Sequence, residues 1–167
     1  MTAPHDAGTR PAWAIFVGLA AVVLAVDQIT KAWVIATIDP GSVIRILGDL
    51  VRLLDSRNNG ALFGLFESSA PVFAVASVAV IGLIVVYHAR SGRNVLLSIA
   101  LGLLLGGALG NLVDRIRYGF VVDWIDIGFG NIRWWTFNVG DAAISLAILL
   151  LFVLAIRPNL GAAAADA

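Results

Sequence analysis

Four apolar runs, each close to the length that crosses a bilayer, constrain this chain more than any other feature of its sequence. They cover residues 13–38, 71–87, 95–112 and 139–156, and a membrane-spanning helix needs about 20 consecutive apolar residues. Hydrophobic residues make up 60% of the chain and charged residues only 13%, which is typical of a membrane protein with several spans. We therefore expect an all-α integral membrane protein with four transmembrane helices.

The connections between these runs indicate where the polar parts of the molecule gather. With four spans, both termini lie on one side of the membrane, and the long connections 39–69 and 114–138 lie together on the other. Residues 43–55 mix charged residues with Val, Ile and Leu, which predicts a short strand or hairpin at the membrane interface. The Asn-Asn-Gly stretch at 58–60 is a turn signal, and we expect the apolar segment 61–66 to lie on the membrane surface.

We interpret residues 1–167 as a single four-span domain with disordered tails over about residues 1–12 and 158–167. The distribution of charge does not by itself decide which side of the domain faces the cytoplasm. Basic residues are more numerous in the two long connections than on the side of the termini. A plain positive-inside count would therefore place those connections in the cytoplasm.

Composition excludes several kinds of chemistry. The chain has 11 basic and 11 acidic residues, so its net charge is zero and no nucleic-acid partner is indicated. It has no cysteine, which excludes disulfides, thiol catalysis and thiolate metal sites. Its two histidines, His5 and His88, fall in the N-terminal tail and on the opposite side of the membrane from the acids discussed next. We expect no metal and no organic cofactor.

Two aspartates lie beside hydrophobic spans at the same membrane surface. Asp123 follows Val121-Val122 in the second long connection, and Asp141 opens the fourth run. Two close carboxylates cannot both ionise easily, so they can share one proton and activate a water molecule. Two other interpretations remain open: Asp141 as a helix N-terminal acid stabilised by the helix dipole, and Asp123 as a solvated loop acid. Asp126 is the acid most easily mistaken for a catalytic one.

Further polar residues stand near the ends of the first and third runs. Asn111, Asp114 and Arg115 could hold a polar mouth open by charge-assisted hydrogen bonds, or could form an ordinary interfacial ion pair. Asp27 and Lys31 are four residues apart and therefore share one face of a helix. Their ion pair could serve the structure or contact a substrate head group.

Two asparagines and a glycine stripe complete the set. Asn58 and Asn138 offer amide groups beside the expected site, and the alternatives are a turn role for Asn58 and a helix-cap role for Asn138. Gly102, Gly106 and Gly110 recur every four residues in the third run. This stripe predicts close packing of another helix.

Five ordered blocks carry most of these residues: DQITK (27–31), NNGALF (58–63), GGALGNLVDR (106–115), VVDWI (121–125) and FNVGDAAI (137–144). Together they closely resemble the lipoprotein signal peptidases (signal peptidase II) of bacteria, and the resemblance covers nearly the whole chain between the tails. It implies a membrane-embedded aspartic endopeptidase that removes signal peptides from diacylglyceryl-modified prolipoproteins, cutting on the N-terminal side of the lipidated cysteine.

The resemblance also implies roles for individual residues and partners. Asp123 and Asp141 match the catalytic pair. The residues that match substrate-binding or site-lining positions are Asn58, Asn111, Arg115, Asn138, Asp27 and Lys31. Residues 43–55 match a small extracytoplasmic β-sheet that cradles the substrate. The implied protein is a monomer of the inner membrane with cytoplasmic termini and a site near the outer face, in contact with membrane lipid and sensitive to globomycin-type inhibitors.

Two other readings deserve comparison. Presenilin-type proteases use a Gly-x-Gly-Asp motif, whereas residues 138–141 here read Asn-Val-Gly-Asp, and four spans are few for that class. A proton-coupled carrier could use Asp27, Asp114 and Asp141 as a relay. A relay requires acids distributed through the bilayer, whereas the sequence gathers its acids at one surface.

Overall fold

The computed structural model of the chain describes residues 12–59, 70–91, 94–158 and 160. Within them, four helices are long and apolar enough to cross a membrane, which confirms the predicted spans. They are α1 (Trp13–Thr37), α2 (Ala70–Ser91), α3 (Val95–Tyr118) and α4 (Val139–Ile156). The expected segment 61–66, Gly60 of the predicted turn and most of the predicted tails lie outside the described residues.

Helices α2 and α3 continue past the ends of their apolar runs. The apolar run of α3 ends at residue 112, but the helix extends to Tyr118 and ends at Gly119, whose φ of 78° is left-handed. Glycine adopts this conformation without the steric cost that a side chain would add. Hydropathy marks the part of a helix that meets lipid, whereas backbone hydrogen bonding continues into the polar surface. As a result, Asn111, Asp114 and Arg115 all lie on α3.

Helix α3 is the central helix and packs against the other three. Its glycine stripe faces α1, because a Cβ placed on Gly102 would lie 2.9 Å from the carbonyl oxygen of Phe16, and one on Gly106 would lie 2.7 Å from Cβ of Val23. On another face, a Cβ on Gly107 would clash with the carbonyl oxygen of Gly140 in α4. The prediction that the stripe mediates close helix packing is therefore confirmed.

A small antiparallel sheet covers one end of the helices. Its strands β1 (Val43–Leu47), β2 (Val51–Asn58), β3 (Val121–Phe129) and β4 (Ile132–Arg133) pair in the order β1-β2-β3-β4. The predicted hairpin is β1 and β2. The sequence did not predict β3 and β4, which were expected to be loop.

The sheet is attached to the helices through its third strand. Val122 of β3 is buried with Val34 and Ile38 at the end of α1. Strand β2 pairs with β3 so that Ser56 lies opposite Asp123. A bridge between Ile125 and Phe137 then brings the chain to the start of α4. This arrangement places Asp123 beside the N-terminus of α4.

Candidate active site

Asp123 is held in a buried position by two amide donors. Only 3% of its surface is exposed. Asn58 Nδ2, from the end of β2, donates to its Oδ2 at 3.0 Å. Asn138 Nδ2 donates to its Oδ1 at 2.7 Å. Asp123 is therefore a strand residue fixed from two directions, and the interpretation of this residue as a solvated loop acid is wrong.

Asp141 is half-buried in the first turn of α4. Its Oδ1 accepts a hydrogen bond from Asn111 Nδ2 at 2.7 Å, and its Oδ2 accepts one from the backbone N–H of Asn138 at 3.2 Å. In return, Oδ1 of Asn138 accepts from the backbone N–H of Asp141 at 2.9 Å. This is a capping box, so the predicted cap role of Asn138 is confirmed.

The two asparagines join the two carboxylates into one network. Asn138 Nδ2, which donates to Asp123, also lies 3.2 Å from Oδ1 of Asn111, and Asn111 donates to Asp141. Each carboxylate therefore accepts an amide hydrogen bond, and the two amides are bonded to each other. This chain of hydrogen bonds fixes the positions of the two carboxylates relative to each other through neutral amide groups.

The environments of the two acids differ in a way that suits shared-proton chemistry. Burial and the negative charge of Asp141 raise the pKa of Asp123 to about 7, against the opposing effect of the Asn58 and Asn138 hydrogen bonds and the charge of Lys31. Asp123 can thus keep a proton up to about neutral pH, beside a second carboxyl group at the start of α4. An acid and a base of the same residue type are then available at one place.

A buried ion cluster lies behind this network. Lys31 Nζ lies 2.8 Å from Oδ2 of Asp27 and 2.8 Å from Oδ2 of Asp114, and it donates to Oδ1 of Asn111 at 3.0 Å. The predicted ion pair between Asp27 and Lys31 is confirmed. The other oxygen of Asp27 accepts from the backbone N–H of Gly140 at 2.8 Å. All of these side chains are buried.

Asp114 and Arg115 have different partners although they are adjacent. Asp114 joins the Lys31 cluster and accepts from the backbone N–H of Val122 at 3.1 Å. Arg115 is half-buried, and its Nη1 donates to the carbonyl oxygen of Asn111 at 3.2 Å. The structure therefore assigns Asp114 to holding β3 against α3. Arg115 alone remains at the mouth, with its charge facing both Asp123 and Asp141.

Sequence reasoning missed Gln28. Its Nε2 donates to Oδ1 of Asp114 at 2.9 Å and lies 3.2 Å from the carbonyl oxygen of Gly110. A polar side chain next to Asp27 inside an apolar span was the available signal.

Asp126 is committed to a separate ion cluster in the sheet. Arg52 Nε donates to its Oδ2 at 2.7 Å, and Arg133 Nε donates to its Oδ1 at 3.0 Å. Burial raises the pKa of Asp126, but hydrogen bonds from Arg133 and Arg52 and their charges outweigh this effect and hold it below the ordinary value. Asp126 therefore differs from Asp123 in both partners and protonation.

The remaining candidates for other chemistries lie elsewhere. His88 is near the C-terminal end of α2, where it lies 3.0 Å from Oγ of Ser98 and stacks on Phe16. Across the described ranges, no three His, Asp or Glu side chains are grouped so that they could hold a metal ion.

Comparison with known proteins adds independent information. A family model described as "Signal peptidase (SPase) II" matches residues 19–157. The lipoprotein signal peptidase of Syntrophomonas wolfei is 39% identical over 140 residues, covering 83% of this chain and 91% of that protein. The protein of the same name from Nitratidesulfovibrio vulgaris is 42% identical over 144 residues, covering 83% and 87%.

Solved structures show the same fold. A bacterial membrane enzyme solved by the in meso method at 2.3 Å resolution superposes with a TM-score of 0.83, at 24% identity, over 90% of this chain and 93% of that one. A second such structure, at 1.9 Å resolution, gives a TM-score of 0.81 at 25% identity over 89% and 97% of the two chains.

Proposed function

Because the chain belongs to the signal peptidase II family and cleaves the signal peptides of lipoproteins, we propose that it does so as an aspartic endopeptidase with Asp123 and Asp141 as its catalytic pair. The observation that carries this proposal is the asymmetry of two linked carboxylates. Asp123 is buried with a pKa of about 7, whereas Asp141 is half-buried in the first turn of α4 and accepts hydrogen bonds from Asn111 and from the backbone of Asn138.

In the proposed reaction, the ionised Asp141 takes a proton from a water molecule, whose oxygen attacks the carbonyl carbon preceding the lipidated cysteine. Asp123 gives its proton to the carbonyl oxygen, which forms a neutral tetrahedral intermediate. When the C–N bond breaks, the proton on Asp141 passes to the leaving amine. Asp123 recovers its proton as the carbonyl re-forms, and the pair returns to its starting state.

The surrounding polar residues take distinct parts in this scheme. Asn58 and Asn138 hold Asp123, and Asn111 holds Asp141. Asn58 and Arg115 are both half-buried, so they can also meet the substrate backbone. The charge of Arg115 faces both acids and would stabilise negative charge that develops on the substrate oxygen.

The protein is a multi-pass bacterial membrane protein, and we place its catalytic end near the outer face of the inner membrane with both termini in the cytoplasm. Parity of the four spans puts the sheet and the two acids on the side opposite the termini. Diacylglyceryl-modified prolipoprotein and membrane lipid are the partners in this arrangement. We further propose that the protein acts as a monomer and binds globomycin-type inhibitors at the catalytic pair.

The carrier alternative is not favoured by the placement of the acids. Asp27 and Asp114 bind the same ammonium group of Lys31, and Asp141 is linked to that group through Asn111. These acids therefore form one cluster at one end of the helices, whereas a transport pathway needs ionisable groups along its length.

A cleavage assay tests the proposal. Purified protein in detergent is given a diacylglyceryl-modified prolipoprotein, and the release of the signal peptide is followed by a gel shift. Asp123→Asn and Asp141→Asn should each lower the rate by about 10³-fold or more, since each removes one half of the acid–base pair. Asp126→Asn is the matched control, and its folded fraction should cleave at the wild-type rate. Cleavage at near wild-type rate by either of the first two variants would refute the proposed pair.

A further inference from the structure

The Asp27–Lys31 pair of α1 touches neither catalytic carboxylate, yet both side chains bind groups that hold Asp141. We propose that this pair positions Asp141: Asp27 fixes the first turn of α4, and Lys31 fixes the side chain of Asn111. This inference rests on the proposed function, in which Asp141 is the catalytic base. It assigns Asp27 and Lys31 a positioning role in place of contact with the substrate.

The hydrogen-bonding capacity of Lys31 is fully used inside the protein. An ammonium group has three N–H donors and no acceptor. Nζ lies within 3.0 Å of three oxygens, one each from Asp27, Asp114 and Asn111, and only 2% of the side chain is exposed. A substrate group could bind Lys31 only by displacing one of these partners.

Lys31 determines which end of the Asn111 amide faces Asp141. Because Lys31 can only donate, the Asn111 atom at 3.0 Å must be the oxygen. The amide nitrogen of Asn111 then faces Asp141, where it donates at 2.7 Å. Asn138 donates to the same oxygen from the other side, at 3.2 Å. The carbonyl of Asn111 is therefore anchored by two donors, and its N–H is aimed at the base.

Asp27 reaches the other support of Asp141. Its Oδ1 accepts from the backbone N–H of Gly140 at 2.8 Å. This N–H belongs to the first turn of α4, where backbone N–H groups have no partner within the helix. The Asp27 side chain has room for this contact because position 110 is glycine. A Cβ at that position would clash with Oδ2 of Asp27. Helix α1 thus holds both the turn that carries Asp141 and the amide that donates to it.

The charges around Asp123 provide a readout for this arrangement. It faces Asp141 from α4, Lys31 from α1 and Arg115 from α3. Burial and Asp141 raise the pKa of Asp123, whereas the charge of Lys31 lowers it. Removal of Lys31 should therefore raise this pKa, and the alkaline limb of the pH–rate profile should move to higher pH.

The test uses a double variant, Asp27→Asn/Lys31→Met. It removes one positive and one negative side chain, so the net charge of the cluster is unchanged. Asparagine keeps an oxygen that can accept from Gly140, whereas methionine cannot hold Asn111. We expect kcat on diacylglyceryl-modified prolipoprotein to fall by about 10²-fold with KM unchanged. The alkaline limb should move to higher pH in Lys31→Met alone, where the positive charge is removed and the negative charge of Asp27 stays.

Two other results would overturn the inference. A substrate contact would raise KM while kcat kept its wild-type value. A purely structural role would lower the unfolding temperature but leave the folded fraction with wild-type kcat. Arg133→Met is the matched control, because it breaks the separate ion cluster at Asp126 and should lower stability without changing kcat, KM or the limb.

A third variant tests whether Lys31 acts through Asn111. Asn111→Ala alone should lower kcat, and adding Lys31→Met to it should lower kcat little further, because the contact is already lost. Fully additive losses would contradict the inference. If the Asp27→Asn/Lys31→Met protein does not fold, Lys31→Arg retains the charge but misplaces the donor, and it should lower kcat at unchanged KM. An unchanged kcat in Lys31→Arg would overturn the inference.

The same assay separates this inference from the proposed function. If Asp123→Asn and Asp141→Asn are inactive while Asp27→Asn/Lys31→Met behaves as wild type, only the positioning role fails. If Asp141→Asn is active, the proposed catalytic pair fails, and the positioning role fails with it.

Discussion

The replacement Asp123→Asn should make the protein more stable at neutral and alkaline pH, although we expect it to abolish activity. Asp123 is an acid whose pKa is raised from 3.8 to about 7 by burial and by the charge of Asp141. Below about pH 4 the carboxyl is protonated in both the folded and the unfolded chain. As the pH rises towards about 7, the unfolded chain releases this proton first, so the folded state loses stability relative to it. Asparagine has no charge to bury and avoids this loss.

The size of the effect follows from the pKa. A difference of one pKa unit corresponds to about 1.4 kcal/mol, so the rise from 3.8 to about 7 costs the folded protein about 4 kcal/mol once the pH exceeds the higher value. Asp123→Asn avoids this cost, but it loses some stability at every pH, because an asparagine can accept a hydrogen bond from only one of its two amide partners, Asn58 and Asn138. Comparing two pH values removes that constant offset. Between about pH 5 and pH 8, the advantage of Asp123→Asn over wild type should grow by about 3 kcal/mol.

Unfolding by sodium dodecyl sulfate in mixed micelles, followed by circular dichroism at about pH 5 and pH 8, measures this difference. Asp126→Asn is the matched control of opposite sign. Hydrogen bonds from Arg133 and Arg52 hold the pKa of Asp126 below 3.8 despite burial, so its stabilising effect is present throughout this pH range and is lost only in more acidic solution. An advantage of Asp123→Asn that is equal at both pH values would refute the reasoning about the buried proton.

Three further predictions concern activity, packing and orientation. The value of kcat/KM should fall above about pH 7, because Asp123 then loses the proton it donates; a rate that keeps rising through alkaline pH contradicts this. Gly107→Ala should lower the free energy of unfolding by about 1–3 kcal/mol, because its Cβ would clash with a carbonyl oxygen in the first turn of α4. Gly18→Ala meets no atom within 4 Å and should change it by less than about 0.5 kcal/mol, as measured by detergent unfolding. Because the chain has no cysteine, single replacements can report orientation: in spheroplasts, an impermeant thiol reagent should label Ser42→Cys and spare Arg90→Cys, and the reverse pattern would invert the proposed topology.

The sequence predicted the four spans and singled out both acids because these features are local. Apolar length determines which segments cross lipid, and acids beside spans stand out against an apolar background. The pairing of Asp27 with Lys31 was also predictable, since residues four apart share a helix face. The order of the five sequence blocks then indicated the family.

The partners of the polar residues could not be predicted because they depend on how distant elements meet. Asp114 stands next to Arg115 in the sequence, but the packing of α1 on α3 brings it to Lys31. The sequence suggested a turn at Asn58, yet this residue ends β2 and donates to Asp123. The pairing of β2 with β3 includes a register shift between Leu53 and Ser56, and such a shift changes which side chains face one another.

The double use of Asn138 has a consequence for how the protein matures in the cell. The same side chain begins α4 and holds Asp123, so the start of the last span and the placement of Asp123 depend on one residue. During synthesis, a chain that has inserted only α1, α2 and α3 already contains Asp123 but lacks both Asn138 and Asp141. Under the proposed mechanism, such a partly inserted chain would be inert, and proteolytic activity would arise only when the final span enters the bilayer. The proposed catalytic pair would therefore be completed last, once all four spans are in the bilayer.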